Sequence, residues 1–207
     1  MSSVAFCARS AGSKLPVNVP DNNNNIWKVV LGGGYAQTWS ILPGDNSTVV
    51  GRIGFGVNPW RWNNMTFGFE AGLQSGDTMK LTVPSNIILE IGSTFRPSYD
   101  LLGSMQFAFN EAETIFFLVK AGAIYREWTF ANMLIPTKAQ FSPELQAGIG
   151  TKLSPHVKVF AYYQGIYTGG AGLTSQTTRP GGVLTINGAV KNIPTQQGGF
   201  LGVEIMF

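Results

Sequence analysis

From Ile26 to Phe207 apolar and polar side chains alternate with a period of two, in segments separated by turn residues, which is the signature of β-strands. The alternation predicts strands over 26–39, 48–57, 64–75, 98–109, 115–128, 142–153, 157–167 and 195–207. The third is the cleanest. Met65, Phe67, Phe69, Ala71 and Leu73 fall on one face, with Thr66, Gly68, Glu70, Gly72 and Gln74 on the other. The second sets Val49, Gly51, Ile53, Phe55 and Val57 against Val50, Arg52, Gly54 and Gly56. The last sets Leu201, Val203, Ile205 and Phe207 against Gly202, Glu204 and Met206. The first and seventh are less regular, and Phe160, Tyr162 and Ile166 fall on the polar face of the seventh.

Such alternation also fits a soluble sandwich or a lipocalin-like barrel, so the direction of the charges matters. With each strand's parity set by its apolar residues, Lys28, Arg52, Glu70, Asp100, Lys120, Arg126, Glu144, Lys152, Lys158 and Glu204 all take the opposite face, and only Glu127 breaks the pattern. Sparse charges of mixed sign among glycines and serines suit the lining of a narrow interior. The connections discriminate further. Every second one (58–63, 110–114, 154–156) is short, whereas 40–47, 76–97, 129–141 and 168–194 are longer. Short turns at one end and long loops at the other characterise transmembrane β-barrels. The pattern predicts an all-β, eight-stranded antiparallel up-and-down transmembrane β-barrel over residues 26–207, with both ends on the short-turn side. Trp27, Trp60, Trp62 and Phe207 then mark that rim, and Tyr35, Trp39, Tyr125, Trp128 and Tyr167 the other, as two aromatic girdles.

Composition agrees. Charged residues make up 12% of the chain, against about 25% in ordinary globular domains, and Gly contributes 26 of 207 residues. No window of 18 apolar residues exists, which excludes a transmembrane helix and leaves a barrel untouched. The net charge of +3 and the lack of a basic run argue against nucleic acid as a partner. The single cysteine, Cys7, allows neither a disulfide framework nor a cysteine metal site, and Phe6 before it is a poor lipidation context. Residues 1–25 read as a disordered leader, with Val4–Ala8 as a signal-peptide remnant; delivery to an outer membrane would require a signal segment that this start lacks.

The run Phe141–Gly150, followed by Leu153-Ser154-Pro155 and Tyr162-Tyr163-Gln164, resembles a hairpin of OmpA-type membrane domains. Tyr99–Gly103 and Phe117–Ala123 share the resemblance, and Gly199–Phe207 looks like a final barrel strand. The resemblance implies an outer-membrane location in a Gram-negative envelope, contact with lipid and lipopolysaccharide, and a terminal aromatic, Phe207, read by the outer-membrane assembly machinery. It gives no support for cell-wall tethering, because no peptidoglycan-binding domain follows the last strand.

Eight strands enclose a space just wide enough for side chains to fill. Lys28, Arg52, Glu70, Asp100, Lys120, Arg126, Glu144 and Glu204 are therefore expected to form internal ion pairs, with Arg52, Glu70 and Lys120 at mid-height, Arg126 beside Glu144, and Lys28 beside Glu204 where the barrel closes. The alternative is a thin ion path along the same residues. Some small outer-membrane barrels modify lipid A with a histidine near the external rim; the only histidine, His156, falls in a short turn at the opposite rim. No residues have catalytic or metal-ligand spacing, and no cofactor is expected. Gly32-Gly33-Gly34 and Gly54-Phe55-Gly56 lie within strands rather than ahead of a helix, so they read as wall glycines and not as phosphate loops. Specific function would reside in the external loops, 76–97 and 169–194, which could meet host or phage surfaces or small solutes. Within them Asn86–Ile91 is expected to form a strand extension or hairpin, and Arg179 and Lys191 supply positive charge. A structural or surface-interaction barrel, a narrow channel, a lipid A-modifying enzyme and a soluble ligand-binding barrel remain open on the sequence.

Overall fold

The computed structural model describes residues 26–39, 47–83, 89–109, 114–130, 136–169, 173–178 and 185–207. The leader, with Cys7, and Arg179 lie outside these. Among the described residues twelve strands run in chain order: β1 (Trp27–Trp39), β2 (Ser47–Trp62), β3 (Met65–Gln74), β4 (Asp77–Val83), β5 (Leu89–Phe95), β6 (Ser98–Ala108), β7 (Ile115–Phe130), β8 (Lys138–Ser154), β9 (Val157–Ile166), β10 (Leu173–Thr178), β11 (Thr185–Val190) and β12 (Thr195–Met206). Eight of them close a barrel. The order is β1-β2-β3-β6-β7-β8-β9-β12, every neighbour antiparallel, and β12 returns to β1 with Lys28 opposite Met206 and Trp39 opposite Thr195. Closure removes every free strand edge from the wall, the condition for crossing a bilayer with β-structure.

The wall is inside-out relative to a soluble barrel. Val49 is 75% exposed, Leu101 65% and Leu201 70%, while Lys28, Glu70, Lys120 and Glu204 are each at most 1% exposed. A lipocalin-like arrangement is thereby excluded. Each outward Leu, Ile, Val or Phe gains about 1.5–3 kcal/mol on leaving water, and only hydrocarbon outside the barrel can supply that gain. The lumen also holds an apolar part, in which Phe116, Leu118, Phe160, Tyr162 and Phe200 are buried with Val30. The irregular seventh segment, β9, is explained by this: Phe160, Tyr162 and Ile166 do point inward. Tyr162 stacks on Phe200 at 5.3 Å, and room for these rings comes from β1, where a Cβ on Gly34 would strike the Phe200 ring.

Three turns lie at one rim. Asn63-Asn64 joins β2 to β3, residues 109–114 join β6 to β7, and Pro155-His156 join β8 to β9. Asn63 takes the left-handed conformation (φ 51°), which Asn tolerates in two-residue hairpins. The segment 58–63, expected as a turn, is mostly strand: β2 continues to Trp62 across a register shift between Val57 and Trp60. Pro59 sits in this bulge, where a missing N–H costs no ladder bond. The extra residue points Trp60 and Trp62 outward, 54% and 50% exposed.

At the other rim β7 and β8 pair with each other beyond the ends of β6 and β9, and two hairpins stand there. β4 and β5 pair with one another, and β5 joins the top of β7 through Ser93–Phe95. Residues 89–91 of the expected extension lie in β5, and 84–88 lie outside the described residues. β10 and β11 form a separate two-stranded sheet inside a segment whose Gly, Ser and Thr content masks strand periodicity.

Candidate functional site in the closed lumen

The polar lumen is assembled from inward positions of all eight wall strands. Glu70 on β3 is its centre. Lys120 Nζ from β7 approaches Glu70 Oε2 at 2.8 Å, Lys28 Nζ from β1 at 3.6 Å, and the Arg52 guanidinium from β2 bonds Glu70 Oε1. Arg52 Nε also donates to Asp100 Oδ2 of β6 at 2.8 Å. Towards the short-turn rim Lys28 reaches Glu204 Oε2 of β12 at 3.4 Å, and Glu204 accepts from Gln106 Nε2 at 3.0 Å. Lys158 donates to Gln106 Oε1 at 2.6 Å and lies 3.8 Å from Glu204 Oε1. Its ammonium and that of Lys120 also sit over the rings of Phe116 and Phe160.

Towards the loop rim the chemistry changes from ion pairs to amides. Glu144 on β8 accepts from Gln146 Nε2 at 2.6 Å, Gln164 Nε2 at 2.8 Å and Gln74 Nε2 at 3.2 Å. Gln74 Nε2 also reaches Asp100 Oδ2 at 3.2 Å, so the chain of contacts from Lys158 through Glu204, Lys28, Glu70, Arg52, Asp100 and Gln74 to Glu144 is unbroken. A buried charge without partners is expensive, and these glutamines supply donors where no cation does. They were not singled out in the sequence, although their inward parity beside Glu144 was readable.

Arg126 departs from expectation. It is buried on the loop side of Glu144, yet among the described residues the two form no ion pair. Its Nη2 donates to the carbonyl oxygen of Pro194 at 3.0 Å, and Nε and Nη1 have no hydrogen-bond partner there. The cause is the segment ahead of β12. Ile193 is fully buried over the mouth, its N–H bonding Gln140 Oε1 at 3.0 Å and its carbonyl accepting from Thr168 Oγ1 at 2.6 Å. Among the described residues five buried cations (Lys28, Arg52, Lys120, Arg126, Lys158) face four buried carboxylates (Glu70, Asp100, Glu144, Glu204) across the lumen.

The girdles need one correction. Trp27, Trp60, Trp62 and Phe207 face outward at one rim, and Tyr35, Trp39 and Tyr167 at the other. Trp128 does not. It is 2% exposed and stacks on Phe95 at 5.5 Å, because on β7 it shares the inward parity of Lys120, Ile124 and Arg126. Tyr125 is half-buried and donates to Glu127 Oε1 at 2.9 Å; Glu127 also accepts from Arg96 at 3.1 Å, outside the lumen. Lys152 is half-exposed near the short-turn rim. At that rim His156 Nδ1 lies 3.2 Å from the Met206 carbonyl oxygen, and the Phe207 N–H donates to the Trp27 carbonyl at 3.1 Å. Among the described residues no group of three His, Cys, Asp or Glu is placed to hold a metal ion.

A closed eight-stranded wall with apolar side chains outside and an ionic lumen inside defines the class: a transmembrane β-barrel of the outer-membrane type. Solved structures of that class resemble the chain. The outer-membrane protein OprG of Pseudomonas aeruginosa superimposes with a TM-score of 0.56 at 10% identity, over 87% of this chain and 97% of that one. Neisserial surface protein A gives 0.49 at 15% identity, over 87% and 97%. Ail of Yersinia pestis, solved with the heparin analogue sucrose octasulfate, gives 0.47 at 14%, over 88% and 99%. At such identities the likeness concerns the fold alone. No family model matches the sequence, and no curated protein does.

Proposed function

We propose that the chain is a bacterial outer-membrane protein with a structural or surface-interaction role, its lumen plugged by its own ion pairs and its external loops available for binding. The observation that supports this reading is the continuous buried network from Lys158 to Glu144, in which carboxylates are held by lysines, Arg52 and glutamine amides along the barrel interior. The long connections and both hairpins gather at the rim away from Phe207, the side such barrels turn outward. In this reading the outward apolar wall meets phospholipid and lipopolysaccharide, the exposed Phe207 at the end of β12 is offered to the assembly machinery, and the loop rim meets host or phage surfaces. Catalysis is not part of it, since His156 lies at the rim opposite the loops.

Conductance across a planar bilayer tests the plug. The refolded wild-type barrel should give no sustained open level. A stable open level in the wild type would move the assignment to a narrow channel for ions or small solutes. Altered lipid A in an expressing strain, read by mass spectrometry, would move it to a barrel enzyme.

A further inference from the structure

Beside the Arg126–Pro194 contact a small, partly open cavity of about 20 Å³ remains, its polar lining Arg126, Gln74, Ser75, Ser98 and Gln196 and its apolar lining Val50, Phe95 and Ile124. Three observations meet there. Arg126 is 2% exposed, yet two of its three guanidinium nitrogens are unpartnered among the described residues. The other polar lining groups are hydroxyls and carboxamides and none is a carboxylate; of these, Gln74 Nε2 is held by Asp100 and Glu144, and Ser98 Oγ donates to the Arg96 carbonyl oxygen. Among the described residues the lumen carries one more buried cation than carboxylates. Glu144, which could have neutralised Arg126, is instead held by the amides of Gln74, Gln146 and Gln164.

We propose that this cavity is a binding site for one small monatomic anion, of which chloride is the abundant representative. Size sets the class: a water-sized particle needs about 10–15 Å³ of such volume, so the space admits one halide and excludes sulfate or phosphate. The site adjoins the ion-pair plug through Gln74 and does not depend on the loops binding anything.

The test uses the full chain refolded in detergent with sodium bromide and crystallised. A bromide anomalous-difference peak against the Arg126 guanidinium is expected, and an ordered water or an empty cavity there overturns the proposal. In solution, urea unfolding at constant ionic strength should show the folded-to-unfolded ratio rising about tenfold for each tenfold increase in chloride above its dissociation constant, with isethionate as the replacing anion. R126M should lose that dependence; a chloride response retained in R126M also overturns the proposal. If R126M does not refold, the bromide density in the wild type decides the matter alone.

Discussion

Glu70 receives charge from Lys28, Arg52 and Lys120 at once, and it is 1% exposed. Removing one partner of a buried ionic group leaves the others uncompensated, typically at about 3–5 kcal/mol. Glu70→Ala is therefore expected to lower the urea-unfolding free energy in micelles by that amount, and an unchanged midpoint would mean that water already screens the lumen. Gly72 makes a second test of how tightly the interior is filled. A Cβ there would stand 2.7 Å from Asp100 Oδ1 and 2.8 Å from Arg52 Cζ, against the salt bridge itself. Gly33, on the lipid side, would place its Cβ with no atom within 4 Å. Gly72→Ala should cost about 1–3 kcal/mol through overpacking. Gly33→Ala should stay within about 0.5 kcal/mol. Equal effects in the two variants would contradict the packed lumen. At this scale the sequence was informative about direction and less so about partners. Parity placed Lys28, Arg52, Glu70, Asp100, Lys120, Arg126, Glu144 and Glu204 inside, because one residue's facing fixes that of every second neighbour. It could not give partners across the lumen, which depend on strand stagger and side-chain reach. Arg126 was expected on Glu144 and instead holds Pro194, a residue more than 60 positions away whose path no periodicity describes.

At the level of elements, β2 carries the most instructive departure. Asn58-Pro59 reads as turn chemistry, and the expected strand stopped at Val57 for that reason. In the structure the strand absorbs the proline by bulging and continues to Trp62, opposite Met65. Deleting Pro59 removes the extra residue and should rotate Trp60 and Trp62 to the inner face. In vesicles containing brominated lipid, quenching of tryptophan fluorescence should then fall relative to the wild type; unchanged quenching would show that the bulge does not aim these rings. The strands β10 and β11 were not expected because Gly, Ser and Thr dominate 169–194 and leave little alternation to read. The eight wall strands were legible because lipid on one side and a packed lumen on the other impose alternation along most of their length.

For the whole molecule, the apolar outer surface must match a hydrocarbon slab. Leu145 faces outward near the middle of β8, between Ala121 and Gly165 on neighbouring strands. Leu145→Arg should weaken folding into lipid vesicles by about 2–4 kcal/mol, the penalty for a cation near the bilayer midplane. A barrel that loses nothing by this change would not have that band in hydrocarbon. The short turns, the packed aromatic interior and the ionic layer together make one cooperative body, so the refolded chain should migrate at two apparent sizes on gels before and after boiling.

Lys28, in the first strand, shares Glu204 with Lys158, and Glu204 belongs to the last. A barrel lacking β12 would lose the carboxylate that both ammonium groups share, leaving Glu70 as the counter-charge of Lys28. Without β12 the facing edges of β1 and β9 would also lose their backbone partners, which hydrocarbon does not replace. One strand thus brings both the main-chain bonds and the carboxylate that close the wall.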